Sequence, residues 1–480
     1  MPAQLTTRVQ VNGYRFLVRR LEHALVRRDV RMLHDPMRSQ GRSAVIGWVL
    51  AVLMVAGCAI MAFLRPQGSV GDAKIVTGRN SGALYALVDG RLHPVLNLAS
   101  ARLITGSSEE PRSVKDAKLA TLPRGPLLGI PGAPAALPGS RGGGAAAWTL
   151  CEKVDVAPTG AAVSARGVTS AVLAGEPQSS KDIQPLDDSR ALLVSLDERT
   201  FLIHDGRRAE VDPDSSAVSR ALGIRDVKAR PIGLGLLNAA VAAPPIRPPS
   251  IPRAGEPSRV AGVKIGAVFT VPGIETHELY VAVAEGVQRI SPLTAQIIRN
   301  ANTVGETGIA AVSPDRLDGV PQVTPLPVTQ FPRVAPQIVG ADEAPVTCLT
   351  WTRDSSDGPA RVQMRAGRRL PLDDTATPVR LAGADGAGAR LDEVYVAPSS
   401  GEFVQVTGIE RTSVRRDSLF YIGDNGIRYG IADRETAATL GLGDHPRQAP
   451  WAIVGRLPAG PTLRRDAALT AHDSLPQPAP

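Results

Sequence analysis

The chain has 480 residues, 43% hydrophobic and 21% charged, with 47 glycines and 41 prolines. That composition excludes a collagen, a coiled-coil rod and a fully disordered polymer, and it allows two to four domains with buried cores. The net charge of +8 is concentrated at one end: residues 1–43 hold nine arginines against Glu22, Asp29 and Asp35, and past Arg65 the chain is close to neutral. A nucleic-acid binder carries its basic face on a folded domain, so nucleic acid is not an expected partner.

Within the tail, Leu17, Leu21, Ala24, Leu25 and Met32 fall on one helical face, with Arg19, Arg20, Arg27 and Arg31 opposite and Arg28 intruding. A basic amphipathic helix beside a membrane is either an orientation signal with a solvated face or a docking helix for anionic headgroups or cytoplasmic partners.

Residues 44–64 run for 21 positions without a charge, between Arg42 and Arg65, and Pro66 stops the run. A helix of that length reaches roughly 30 Å, the thickness of a bilayer core. The positive-inside rule then puts residues 1–43 in the cytoplasm and the bulk of the chain outside, in a single-pass cell-membrane protein with a periplasmic domain. Two other readings use the same residues. A cleaved signal peptide needs a shorter leader and an Ala-x-Ala site that is missing here. Val55-Ala56-Gly57-Cys58 has the form of a lipobox, but Ala59 to Leu64 continue apolar where a lipoprotein turns polar.

Beyond residue 70 four segments share one plan: 84–104, 200–224, 279–301 and 419–442. Each opens with a short apolar strand and reaches a turn at Gly90, Gly206, Gly286 or Gly426, preceded by Asp89, Asp205, Glu285 or Asn425. A second strand follows with Arg91, Arg207, Arg289 or Arg428 near its start. Asn97, Asp212, Ser291 and Asp433 are then helix N-cap candidates, with Pro213 and Pro292 at first helical positions. A hairpin plus one short helix cannot bury enough surface alone, so the copies must pack on something shared. Their uneven spacing excludes a regular solenoid and places two on each side of a central body. That body is expected from AAAWTLCEKVDV at 145–156 and PVTCLTWTRD at 345–354, whose Trp148, Cys151, Cys348 and Trp351 fit facing core strands.

The fold class expected is α+β: one transmembrane helix, then an elongated exported domain of four hairpin-plus-helix repeats around a central β-rich domain. The divisions are tail 1–43, span 44–64, repeat 70–110, central 111–189, repeat 190–230, Pro-rich connector 231–262, repeat 263–325, central 326–415, repeat 416–470 and flexible tail 471–480.

Chemistry is sparse. None of the seven lysines follows a glycine, so the phosphate cradle of a Walker A loop is missing. The seven histidines are scattered, His277-Glu278 lacks the second His of a zinc-protease motif, and neither a Gly-x-Ser-x-Gly elbow nor a Cys-x-x-Cys pair occurs. No catalytic residue, cofactor or metal ligand is expected. The turn glycines with their arginines fit solvated hairpins better than a ligand site, although repeated hairpins outside a membrane also suit a cell-wall glycan-binding module.

The tail LTTRVQVNGYRFLVRRLEHALVRRD at 5–29, followed by RMLHDPMR and a span ending in LRPQG, resembles the EccB membrane component of mycobacterial type VII (ESX) secretion systems. So do LYALVDGRLHPVLNLASARLI, GIPGAP at 129–134, FYIGDNGIRYGI, and APWAIVGRLPAGPTLRRDAAL at 449–469. The resemblance implies a core subunit of the inner-membrane secretion complex, assembled with the EccC ATPase, EccD and EccE and near the mycosin protease. It also implies four repeats about a central domain with one disulfide, and brings an ATPase label that no motif here supports. Self-association through the exported domain is expected from the hairpin edges and neutral surface. Because Cys58 falls in the span while Cys151 and Cys348 are exported, these two are expected to pair, the alternative being two buried thiols.

Overall fold

The structure is a computed structural model describing residues 7–31, 36–64, 70–139, 145–156, 167–273, 277–301, 308–354 and 358–474. The chain divides into two compact units, Met1–Ser69 and Val70–Pro480.

In the first unit, Arg8–Arg27 forms a helix begun by a Thr7/Gln10 capping box and ended at Arg28 in the left-handed region, φ 55°. Its exposed apolar face includes Tyr14, Leu17, Leu21 and Leu25. Met32 lies outside the described residues. The second helix, Pro36–Leu64, contains the one stretch long and apolar enough to cross a membrane among the described residues, Gln40–Met61. Arg42 lies within this helix, Cys58 is free and exposed, and Arg65 lies outside the described residues.

The second unit is built on a seven-stranded sheet whose middle strands are Ala146–Val154 and Val346–Arg353. Both are almost continuously buried because the sheet is covered on both faces. Trp148 and Leu150 join Trp351 and Leu349 on one face, while Cys151 and Cys348 pack with Leu173 and Ile183 on the other. Trp148 lies directly opposite Trp351, and Cys151 opposite Cys348.

Besides a two-stranded pair, Leu127–Leu128 with Ala471–His472, four smaller sheets surround this one among the described residues. Three have four strands: Arg91–Pro94, Leu84–Val88, Ile75–Gly78, Arg112–Val114; then Gly286–Arg289, His277–Val283, Val268–Pro272, Ala310–Ala311; and Arg428–Ile431, Leu419–Gly423, Gly401–Thr407, Arg447–Pro450. In each, the antiparallel hairpin is extended by a parallel strand that returns beyond the helix. The remaining sheet is larger, because Arg230–Pro231, Val241–Ala242 and Gln337–Ile338 add to Arg190–Leu196, Arg199–His204 and Arg207–Val211. The stretch expected as a connector, 231–262, therefore completes this sheet, holds the Leu234–Ala239 helix and buries Ile246, Ile251 and Val260. Apolar residues between its prolines anchor it.

The helices join these sheets in pairs. Ser216–Leu222 packs on Pro292–Ala301, so Val218 and Leu222 share a core with Leu293 and Ile297. Leu98–Thr105 packs on Arg434–Thr439 and Arg465–Ala468, joining Ala99 and Leu103 to Ala437, Leu440 and Leu463. In chain order, with the sheet of Ile75–Gly78 the first, that of Arg190–Leu196 the second, that of Val268–Pro272 the third and that of Gly401–Thr407 the fourth, the first partners the fourth and the second the third, a nested arrangement about the central sheet.

Asn97 and Asp433 cap their helices, accepting from the backbone N–H of Ser100 and Thr436 at 2.9 and 2.7 Å. Ser291 Oγ accepts from the Thr294 N–H at 3.2 Å, and Pro292 opens its helix. Asp212 departs from the plan: it takes the Asp214 N–H in a local turn, Ser215 becomes the N-cap, and Pro213 precedes the helix. The expected tail also shortens, since Ala471–His472 pairs with Leu127–Leu128 and a His472 ring nitrogen lies 2.8 Å from the Gly129 carbonyl oxygen. Residues 475–480 lie outside the described residues.

Candidate functional site

Cys151 and Cys348 form a disulfide with Cα atoms 4.0 Å apart. Neighbouring backbone bonds, Val154 N–H to Pro345 and Gly175 N–H to the Ala147 carbonyl, fix the ladder so that this is a non-hydrogen-bonded pair, where opposed side chains come closest. Both cysteines are fully buried. The bond closes a loop holding the second and third sheets and leaves the first and fourth outside it.

The four turn glycines have different settings. Asp89-Gly90 and Asp205-Gly206 are two-residue turns with positive φ at both positions, the geometry that matches strand twist. Gly286 is the first residue of its strand, and the turn is Ala284-Glu285. It abuts the Pro321 carbonyl so closely that an added Cβ would lie 2.0 Å from that oxygen. Gly426 follows an Asp424-Asn425 turn at φ +78° and rests on Val394 of the central sheet; Gly206 rests on Val362 of the same sheet. Two hairpin tips are therefore docking points, while Gly90 has no atom within 4 Å of its Cβ position.

The arginines beyond the turns also differ. Arg91 is exposed, Arg207 donates to Gln330 at 3.2 Å, and Arg289 pairs with Glu278 at 2.8 Å. The Arg428 guanidinium lies 4.8 and 4.7 Å from the ring centroids of Phe420 and Trp451. Trp451 remains 48% exposed.

Glu152, next to the disulfide, is a junction that the sequence reading missed. Its side chain follows Trp148 and Leu150 on one face of the strand and is 2% exposed. It accepts the Gly233 N–H at 2.7 Å and the Leu236 N–H at 3.3 Å, at the start of the Leu234–Ala239 helix. Burial pushes its pKa up to about 7, although those two bonds and the charges of Arg456 and Arg230 favour the ionised form. Arg230 is itself brought down to about 10 by burial and donates to the Ala344 carbonyl at 2.5 Å. One carboxyl thus ties the central sheet to segments 230–236 and 456. The available signal was an acid at the buried parity of an otherwise apolar strand.

These features hold elements together and present no nucleophile–base pair. Among the described residues no group of three or more His, Cys, Asp or Glu is placed to hold a metal.

The model of the family described as "Type VII secretion system ESX-1, transport TM domain B" matches residues 3–477. The chain is 40% identical to the Mycobacterium tuberculosis protein named ESX-2 secretion system ATPase EccB2, over 99% of this chain and 97% of that one. Its fold matches a chain of the intact ESX-5 inner membrane complex with a TM-score of 0.76 and 36% identity, covering 100% and 98% of the two chains. It also matches a chain of the EccB3 dimer from the ESX-3 core complex at 0.73 and 35% identity, covering 83% and 100%. With its whole length matched, this chain belongs to the EccB family of type VII secretion systems.

Proposed function

We propose that this protein is a structural subunit of a type VII secretion complex in the inner membrane, bracing the channel on the exported side. Family membership over residues 3–477, joined to one span-length apolar helix, carries the reading. Residues 1–43 are cytoplasmic, because nine arginines precede the span; residues 66–480 are then periplasmic, the described ones among them forming four repeats about a disulfide-linked central sheet. The partners are EccC, EccD and EccE, with the mycosin protease alongside, and a second copy of this chain packs through the exported domain.

Nucleotide hydrolysis is the second reading, resting on the word ATPase in a relative's name. In the proposed topology the folded domain lies away from cytoplasmic ATP, and the cytoplasmic segment is too short to enclose a nucleotide. Purification of tagged full-length protein in mild detergent tests the first reading. EccC-like and EccD-like chains are expected to co-purify, and a preparation without them overturns it. If turnover of ATP persists without EccC and is abolished by a point substitution in residues 70–480, the second reading is the better one.

A further inference from the structure

One end of the fourth sheet carries an exposed aromatic and cationic platform. Phe420 and Trp451 stack with ring centroids 6.0 Å apart and planes 25° from parallel, and the Arg428 guanidinium lies 4.8 and 4.7 Å from the two centroids. The strand register brings them together: Phe420 is paired with Gly430, two residues from Arg428, and Thr407 with Pro450, the residue before Trp451. Phe420 packs on the core shared with the central sheet, whereas Trp451 is 48% exposed. The 408–418 loop leaves the same end of the sheet and presents Val414, 85% exposed.

Arg428 lacks the polar partners that two of its counterparts have. At the equivalent hairpin positions Arg289 pairs with Glu278 and Arg207 donates to Gln330. No hydrogen bond or ion pair joins the Arg428 side chain to another residue among the described ones. Its Nε is buried without a partner, while the half-buried residue leaves its outer nitrogens open to solvent. Burial lowers the pKa of Arg428, and no carboxylate offsets it. Glu410 and Asp417 are exposed in the nearby loop and do not pair with it. Attraction to the two rings holds the cation without using its N–H donors. The planar fork is thus immobilised in advance with its donors unspent, which lowers the ordering cost of binding an anion.

We propose that this platform docks a partner protein surface in which an Asp or Glu stands beside an apolar side chain, the carboxylate taking the Arg428 fork and the apolar group covering the Trp451 indole. The charge-assisted bonds select the acid, and removal of the indole from water supplies contact area. Tryptophan and arginine are the side chains on which interface energy concentrates. Val414 extends the apolar rim.

Full-length protein in detergent tests this, carrying Trp48→Phe so that the span contributes no indole signal. Trp148 and Trp351 are 2% and 0% exposed, so acrylamide quenching then reports Trp451. Random heptapeptides, fused through their C-termini so that no free carboxyl end is present, are panned against this protein after removal of those that bind its Trp451→Ser variant. Peptides with an acid next to an apolar or aromatic residue are expected to be enriched. An enriched peptide, synthesised with both ends capped, should reduce the quenching. It should bind about tenfold more weakly when its acid becomes the amide or when the protein carries Arg428→Gln, with Arg428→Lys, which keeps the charge but not the fork, intermediate. The quenching readout stands even if Arg428→Gln fails to fold. Enrichment without an acid, no enrichment, or quenching unchanged by the enriched peptide overturns the proposal, as does protection of Trp451 by N-acetylglucosamine oligomers in place of peptides, the mark of a glycan site.

Discussion

Glu152 titrates near 4.5 in the unfolded chain and at about 7 in the folded one. Between these values the native state holds a proton that the unfolded state has released, so the group's stabilisation is full below 4.5 and is lost as pH rises through 7. Denaturant unfolding of the full chain between pH 4.5 and 8 should show a falling component, on the order of 3 kcal/mol, that is missing from Glu152→Gln. Parallel profiles would show that burial does not raise this carboxyl. Gly426 and Gly90 provide a second contrast. Both have positive φ, but an alanine Cβ at 426 would lie 2.3 Å from Val394 Cγ1, whereas at 90 it meets nothing. Gly426→Ala should cost upwards of about 2 kcal/mol and Gly90→Ala about 1, read from unfolding midpoints. Asp89-Gly90 and Asp205-Gly206 were legible as turns because their chemistry is local. The role of Gly286 was not, since its tight neighbour is the carbonyl of Pro321, brought there by the fold.

At the scale of elements, the Cys151–Cys348 bond joins two strands 197 residues apart in sequence. Constraining so long a loop in the unfolded chain should stabilise by about 2–4 kcal/mol, so the Cys151→Ser/Cys348→Ser double variant should lose that much in chemical unfolding. No loss would mean that packing of Trp148 and Trp351 alone sets the stability of this sheet. The two strands were readable from their apolar runs and matched Trp and Cys positions. The 231–262 segment was not, because prolines suggest extended chain while the buried Ile246 and Ile251, in the core shared by the second and third sheets, and Val260, packed with Phe269 and Tyr280 of the third, reveal their purpose only in the fold. Asp212 misled for a similar reason: an Asp before Pro reads as a cap, but Ser215 three residues later takes that place.

For the whole molecule, uneven spacing of similar segments pointed to a central body with two on each side, while the nested pairing of the sheets depended on helix contacts that no spacing discloses. The proposed orientation makes a direct prediction: alkaline phosphatase fused after Pro480 should be active, and an inactive fusion beside a fluorescent cytoplasmic reporter would reverse the topology. The central claim is that this chain contributes by assembly. Native electrophoresis of detergent-solubilised membranes, from cells with and without it, tests that claim most directly. The high-mass complex containing the EccC-like ATPase should collapse to smaller species when the chain is missing and return on complementation; a complex of unchanged size and amount in its absence would contradict the account.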